Sequence, residues 1–468
     1  MSNANIVRIA PGNQRIQIEW QLADASLEIT PVLQWKRRSE RWDGAEEVDL
    51  PGSTDPKARQ HTMEGLSNGI DYEFRILLIR GTDRAVVGES PVRLARPGFV
   101  PGTVVNYHHP EDLTFDSSGR STASPSIAVL PNGRYVASHD MYWREGGQHL
   151  SFIFYSDDRG VSWHYLSELD PCFWGKLFVH RGHLYMLSTS TEYGALLIRR
   201  SEDGGETWSA PTEIIPAGSR EKGGPHKAPV PVVEYEGRLW SAVEHGSWKL
   251  GAHDAGVVSV PVDADLLDPR SWTVTPFLKY DPSWPGAVSG TGPSVLEGNI
   301  VVAPDGELVN FLRYQTNKGK PDYGRAVMLK VDRRNPAASP TFGRIVDFHG
   351  NMSKFTIAFD PVTRHYFSLV NRVTTDNPGQ RNILTLVSSP DLIRWNIVID
   401  ILNYQDNGWH EDMRLVGFQY VDWLFDGDDI IALSRTAING ANNFHDANHI
   451  TFHRIEKFRT IFRRTFGE

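Results

Sequence analysis

A single cysteine, Cys172, stands among 468 residues, which excludes an intrachain disulfide and any zinc site built on thiolates. Chemistry at a cysteine pair is excluded with them. No stretch approaches the roughly 20 consecutive apolar residues of a membrane-spanning helix, so membrane contact is not expected. Positive charge is scarce: 48 Lys and Arg against 57 Asp and Glu leave a formal net charge of -9. That is the wrong sign for a nucleic-acid partner, whose phosphates call for a basic face. The first residues, MSNANIVRIA, lack the basic, apolar and small-residue succession of a secretory signal. As written the chain is expected in the cytoplasm, and in a secreted or periplasmic setting if a leader has been removed.

Aromatic and turn residues are plentiful. Fourteen Trp, 15 Tyr and 21 Phe beside 41 Gly and 29 Pro favour short aromatic strands joined by tight turns, so the expected fold class is all-β. Residues 1–97 alternate in short runs, RIQIEW, PVLQWK and YEFRILLIR, the period-two pattern of a small β-sandwich. RPGFVPG at 96–102 reads as a linker. Over 103–468 a different unit recurs, an apolar strand, a Gly turn and a second strand: SPSIAVLPNGRYVASHD, KLFVHRGHLYMLSTS, APVPVVEYEGRLWSAVEH, GNIVVAPDGELVNFLRY, KFTIAFDPVTRHYFSLVNR and FQYVDWLFDGDDIIALSR. That spacing predicts a β-propeller of six blades, or seven if the strands near 103–116 add one. The tail KFRTIFRRTFGE is expected as a surface segment closing the ring.

SDDRGVSW (156–163) and SEDGGETW (201–208) share one frame. The Asp accepts backbone N–H bonds, Gly supplies positive φ, and Trp packs back on the blade. Two such turns at blade spacing resemble the Asp box of the sialidase superfamily, with VSSPDLIRW (387–395) a degenerate third. GLSNGIDYEFRILLIRGTDRAVVGES resembles the last hairpin of fibronectin type III modules, with Tyr72 as corner tyrosine and Trp20 in the core.

The sialidase resemblance implies site residues. EGNIVVAPDGELVNFLR puts Glu297 and Arg313 in the places of a glutamate and a carboxylate-binding arginine, and FQYVDWLFDGDD puts Tyr420 in that of a tyrosine nucleophile, activated by the glutamate. His139 and Asp140 fall near the acid/base position. The Arg-Ile-Pro strand that would carry a first arginine reads Ala123-Ser124-Pro125-Ser126, and Lys354 is the candidate for the third. SKFTIAFDP, PHKAPVPVVEYEGRLWSAVE and NFHDANHITFHRI further resemble a branch with ulvan-lyase-type polysaccharide lyases and rhamnose–glucuronate-cleaving enzymes. That resemblance implies His139 as base, Tyr193 as acid, and Arg199 or Lys227 at the acidic group.

The expected activity is cleavage of glycosidic bonds in uronate-bearing polysaccharides or oligosaccharides, by elimination or by hydrolysis. The catalytic candidates are His139, Asp140, Tyr193, Glu297 and Tyr420; the substrate-binding candidates are Arg199, His226, Lys227, Arg313, Lys354 and Arg435. No cofactor is required, although a structural divalent cation is allowed for. His445, Asp446, His449 and His453 would be divided between strand faces and are not expected to share a metal. The alternatives are an exo-sialidase with a modified carboxylate grip and a glycan-binding propeller without catalysis. Oligomeric state is not legible.

Overall fold

The computed structural model describes residues 4–22, 29–51, 59–81, 83–288, 294–316, 324–350, 352–409 and 412–467. Strands Ala4–Gly12, Arg15–Leu22 and Gln60–Glu64 form one N-terminal sheet; Ile29–Arg37, Glu46–Asp49, Tyr72–Arg80, Val86–Glu89 and Arg93–Ala95 form the other. Alternate residues of both, among them Ile16, Ile18, Trp20, Leu33, Phe74 and Ile76, enclose a common core. The Tyr72 hydroxyl accepts the Ser67 N–H at 3.0 Å.

Six four- or five-stranded antiparallel sheets follow as blades around an axis. Their innermost segments are Ser121–Val129, Phe173–His180, Gly224–His226, Ser294–Val302, Ile357–Asp360 and Gly417–Asp426. Two-residue turns with both residues at positive φ, Arg181-Gly182 and Glu236-Gly237, supply the backbone twist that tight hairpins need. Thr103–Tyr107 pairs with His449–Ile455 as the outer strand of the last blade. The strands near 103 therefore complete a sixth blade and do not add a seventh. They also close the ring, a role the tail does not take: its helix, Phe458–Phe466, lays Phe458 and Phe462 against the fifth and sixth blades.

The two full Asp boxes have the same geometry. Asp158 accepts the Ser162 N–H at 2.9 Å and Asp203 the Thr207 N–H at 2.9 Å, while Ser156 and Ser201 each accept the N–H of the box glycine, Gly160 and Gly205. Trp163 is buried between blades and Trp208 bonds the Gly205 carbonyl.

Four inner strands carry the same irregularity. Two residues oppose one between Ala123 and Ser126, Phe173 and Lys176, Leu296 and Asn299, and Gln419 and Asp422. The first residue of each bulge is not glycine yet has positive φ: Ser124 (46°), Trp174 (51°), Glu297 (54°) and Tyr420 (53°). Such bulges re-aim a side chain, here toward one end of the axis. Two residues further on, polar side chains clamp each blade to the next. Ser126 accepts the Leu177 N–H at 3.0 Å, Asn299 the Ile357 N–H at 3.0 Å, and Asp422 the Ile127 N–H at 2.9 Å. Asp422 also holds the ammonium of Lys176 at 2.5 Å, with that of Lys354 at 3.8 Å. Burial alone would raise this carboxyl, but the two lysines hold it below the ordinary aspartate range. Asp140 is a second clamp: it accepts from Ser151 at 2.6 Å and from the Trp174 N–H at 2.7 Å. Among the described residues no cation pairs with it, and burial pushes it up to about 7.

The sandwich docks against the outer strands of the sixth and first blades. Arg8 donates to the carbonyls of Val104 and Val105, and Glu19 accepts the Tyr165 N–H at 2.7 Å.

Two outcomes are expected of the clamps. Asp422→Ala strands two buried ammoniums and should cost about 3–5 kcal/mol in denaturant unfolding, whereas Asp422→Asn, which keeps the Ile127 bond, should cost less. For Asp140 the folded value lies above the ~3.9 of an unfolded aspartate, so the folded state retains a proton that the unfolded chain releases between about pH 4 and about pH 7. Its contribution to stability therefore falls as pH rises through that window. Asp140→Asn should look relatively more stable, in melting temperature against the parent, at pH 8 than at pH 5.

Candidate active site

The bulged ends of the inner strands bring Glu297 and Tyr420 together from the fourth and sixth blades. The Tyr420 hydroxyl donates to Glu297 Oε1 at 2.6 Å, and Arg313 Nη1 donates to Glu297 Oε2 at 2.7 Å and to the Tyr420 oxygen at 3.2 Å. Gln315 Oε1 holds the rest of the Arg313 fork at 2.6 and 3.2 Å. Burial alone would raise Glu297, but the charges of Arg313 and His226 and the bond from Tyr420 outweigh it and hold the carboxyl below its ordinary value. Glu297 is thus an ionised acceptor. The Tyr420 phenol is pushed up, first by burial and then by the Glu297 charge beside it.

Two more guanidiniums flank the phenol. Arg381 Cζ lies 5.7 Å and Arg435 Cζ 5.4 Å from the Tyr420 ring centroid. Arg381 is aimed by Gln419 Oε1 at 2.5 Å and the Met352 carbonyl at 2.9 Å; Arg435 packs over Tyr142 at 5.2 Å and meets His445 Nδ1 at 3.5 Å. Arg381 is lowered to about 10, by burial and then by the like charge of Arg313, with Arg435 adding to it. The Nε atoms of Arg381 and Arg435 are buried without a hydrogen-bond partner.

The opposite wall is aromatic. His226 lies edge-on to Trp174 with ring centroids 4.4 Å apart and 4.5 Å from His253, which in turn sits 4.8 Å from Trp248. Trp174, His226 and His253 are all but sealed, whereas Trp248 is 46% exposed. Tyr193 joins this wall, its oxygen accepting the Trp248 N–H at 3.0 Å. His226 Nδ1 bonds Glu244 Oε2 at 3.0 Å, and Glu244 Oε1 accepts the Gly298 N–H at 3.1 Å.

Of the sequence candidates, Glu297, Arg313, Tyr420 and Arg435 belong to the first cluster and His226 and Tyr193 to the aromatic one. Lys227 sits beneath them, fully buried, its ammonium on the Ala228 carbonyl at 2.8 Å; burial lowers it to about 7. Four expectations need correction. His139 faces the interface of the first and sixth blades, stacked on Phe154 at 5.5 Å, with Asn106 Nδ2 at 2.9 Å from its Nε2. Strand alternation turns it away from the axis, and burial lowers it to about 4, so it is a neutral structural histidine. Lys354 is not the third carboxylate-binding cation: its ammonium dips below the pocket to Thr356 Oγ1 and the Val421 carbonyl. Arg199 lies on the third strand of the second blade, paired with Met186, away from the Tyr420 cluster. Asp140 has both oxygens engaged in its blade clamp. Arg381, Glu244 and Trp248 were missed. Arg381 precedes the third strand of its blade, outside the recurring hairpins, and only its place ahead of a repeat strand hinted at a role.

Among the described residues no three His, Cys, Asp or Glu side chains gather as metal ligands. His445 bonds Asp446 at 2.8 Å, His449 bonds Asn448 at 2.8 Å and His453 bonds Thr451 at 2.8 Å.

No protein-family model matches this chain, and neither does any curated protein sequence. Solved structures do. The Hadza microbial sialidase Hz136 aligns over 98% of this chain and 94% of its own, with TM-score 0.51 and 12% identity. The leech intramolecular trans-sialidase, solved with 2,7-anhydro-Neu5Ac, covers 98% and 92% with TM-score 0.51 and 11% identity. The Penicillium chrysogenum α-L-arabinanase, solved with arabinobiose, covers 77% and 99% with TM-score 0.50 and 16% identity. At such identities the likeness concerns architecture, and the chain has the fold of a sialidase-like β-propeller.

Proposed function

We propose that this chain is a retaining glycoside hydrolase whose substrate carries a carboxylate on its anomeric carbon, the chemistry of an ulosonic acid such as sialic acid. The observation that carries the reading is the set of Arg313, Arg381 and Arg435 around the Tyr420 phenol. Among the described residues neither Arg381 nor Arg435 is within ion-pair distance of a carboxylate. Partly desolvated guanidiniums held against mutual repulsion are matched by an anion that arrives with the substrate. Arg313 touches the Tyr420 oxygen itself, so a carboxylate on these arginines lies beside the carbon that oxygen would attack. A uronate, with its acid on the carbon beyond the ring oxygen and not on the anomeric carbon itself, fits this placement less well.

The nucleophile suits that charge. A carboxylate nucleophile would repel an anionic substrate, whereas a neutral phenol would not. A phenol needs its proton removed to attack at neutral pH, and Glu297, ionised and 2.6 Å away, is placed to accept it as the bond forms. Elimination is less well supported, because the expected base, His139, lies in a blade interface. The sialidase and trans-sialidase named among the structural neighbours agree with the reading.

The 4-methylumbelliferyl glycoside of N-acetylneuraminic acid tests it: fluorescence should be released, with the first-formed sugar keeping the anomeric configuration of the substrate by NMR. An inverted or ultraviolet-absorbing unsaturated product would overturn the mechanism, and inertness toward this and other ulosonic glycosides would overturn the substrate class. Tyr420→Phe should lower kcat by about a thousand-fold or more while the variant still binds the free sugar acid in calorimetry. Arg381→Ala should raise KM by about 10- to 100-fold, the worth of one charged hydrogen-bonding contact. That penalty should disappear when the substrate is the methyl ester.

A further inference from the structure

The mechanism above lacks a group to protonate the departing oxygen, and the residue expected there from sequence is spent. Both oxygens of Asp140 are held, by Ser151 and by the Trp174 N–H, and the side chain is sealed. Tyr193 retains a hydroxyl proton, but burial pushes its phenol up. A phenol held that high is a weak acid toward the departing oxygen, and its oxygen already accepts the Trp248 N–H at 3.0 Å.

His226 meets the requirement by geometry. Its Nδ1 is fixed on Glu244 Oε2 at 3.0 Å, and Glu244 is itself fixed by the Gly298 N–H at 3.1 Å, immediately after Glu297 in the bulge that presents it. The dyad and the nucleophile's acceptor are therefore bolted to the same backbone kink. Trp174 and His253 hold the ring from two sides at 4.4 and 4.5 Å. Nε2 has no hydrogen-bond partner among the described residues. An imidazole with one nitrogen pinned to a carboxylate and the other open is the arrangement that passes protons in both directions. The Glu244–Gly298 bond places the dyad one residue from Glu297, and the charge of His226 is among those that lower the Glu297 carboxyl.

Resting on the hydrolase reading, we propose that His226 is the catalytic acid and base of this site and that Glu244 is its positioning residue. In the first step the imidazolium Nε2–H gives its proton to the glycosidic oxygen, whose bond to the anomeric carbon breaks with the electron pair going to that oxygen. The Tyr420 oxygen bonds to the anomeric carbon and its proton passes to Glu297. In the second step neutral His226 takes a proton from water, the hydroxide oxygen bonds to the anomeric carbon, and the Tyr420–carbon bond breaks. The tyrosine oxygen keeps that pair and recovers its proton from Glu297, which restores every group.

A leaving group that departs easily needs little acid, so the test compares two glycosides of one sugar. With 4-methylumbelliferyl sialoside and 3′-sialyllactose, His226→Ala should lose about a hundred-fold more kcat/KM on sialyllactose than on the aryl glycoside. Glu244→Gln should show the same leaving-group bias at smaller size, which a merely structural role would not produce. His226→Gln, closer in volume, serves if the alanine variant fails to fold. Equal losses on both substrates, or none, with the parent protein active, would overturn the assignment of His226 alone. A parent inert on both, and so no different from Tyr420→Phe, would overturn the hydrolase reading and this proposal with it.

Discussion

The site depends on one backbone constraint, the bulge that interrupts four of the inner strands. Each bulge holds a residue with a side chain in the left-handed region, which costs on the order of 1–3 kcal/mol. Glycine would remove that cost, and its absence at all four positions shows that the side chain is what the kink serves. Two of the four are Glu297 and Tyr420, whose contact across the axis defines the pocket; a third, Trp174, backs His226. The strain is held by what surrounds it. Polar side chains two residues beyond the bulge, Ser126, Asn299 and Asp422, bond the backbone of a neighbouring blade and fix where each strand stands along the axis. Strained presentation and interblade clamping are thus parts of one device, and neither would position the pocket without the other.

Charge follows the same vertical order. Near the pocket mouth three guanidiniums surround a phenol, and the carboxylate among them, Glu297, is committed to both Arg313 and Tyr420. Below, the ammoniums of Lys176 and Lys354 converge on Asp422. Because the lower cations have their own counter-ion, they do not compete for an anion bound above, and Asp422 does not repel one. Like charges confined at low exposure can be retained only where the rest of the fold over-determines them. Arg381, lowered by burial and by Arg313, is the residue on which that tension falls.

Much of this was legible in the sequence, and what was not has a geometric reason. The Asp boxes, with hairpins recurring at blade spacing, identify the architecture because both are local: a turn closes with residues a few positions apart. Glu297, Arg313 and Tyr420 were legible only through the resemblance of their hairpins to sialidase modules, and the structure brings the three side chains into contact. His139 and Asp140 show where that reasoning ends. Adjacent on a strand, they point to opposite blade interfaces, and the bulge opposite them shifts the count by one residue, so periodicity cannot say which would face the axis. Lys354 sits at the expected level, but a four-carbon stem lets its ammonium descend to Asp422. Glu244 belongs to a second strand and Arg381 precedes a third, and they reach the site through contacts with residues 54 and 38 positions away, which no motif encodes.

The other end of the axis sharpens the argument about where chemistry can occur. A cavity of about 1110 Å³ opens there, larger than any other described, lined by the far halves of the inner strands, including Ile127, Phe178, Ile300, Ile357 and Trp423. Size alone would nominate it as the active site. Its walls are mainly apolar, and the ammonium of Lys176, which lines it, is already neutralised by Asp422. That ion pair stands between the apolar cavity and the cationic pocket, so the two ends of one channel are chemically separate. Small apolar residues suffice to close blades around an axis, whereas catalysis on a charged sugar needs donors held in place without partners of their own. Among the described residues that condition is met at the bulged end, where Arg381 and Arg435 keep unfilled Nε groups beside the nucleophile.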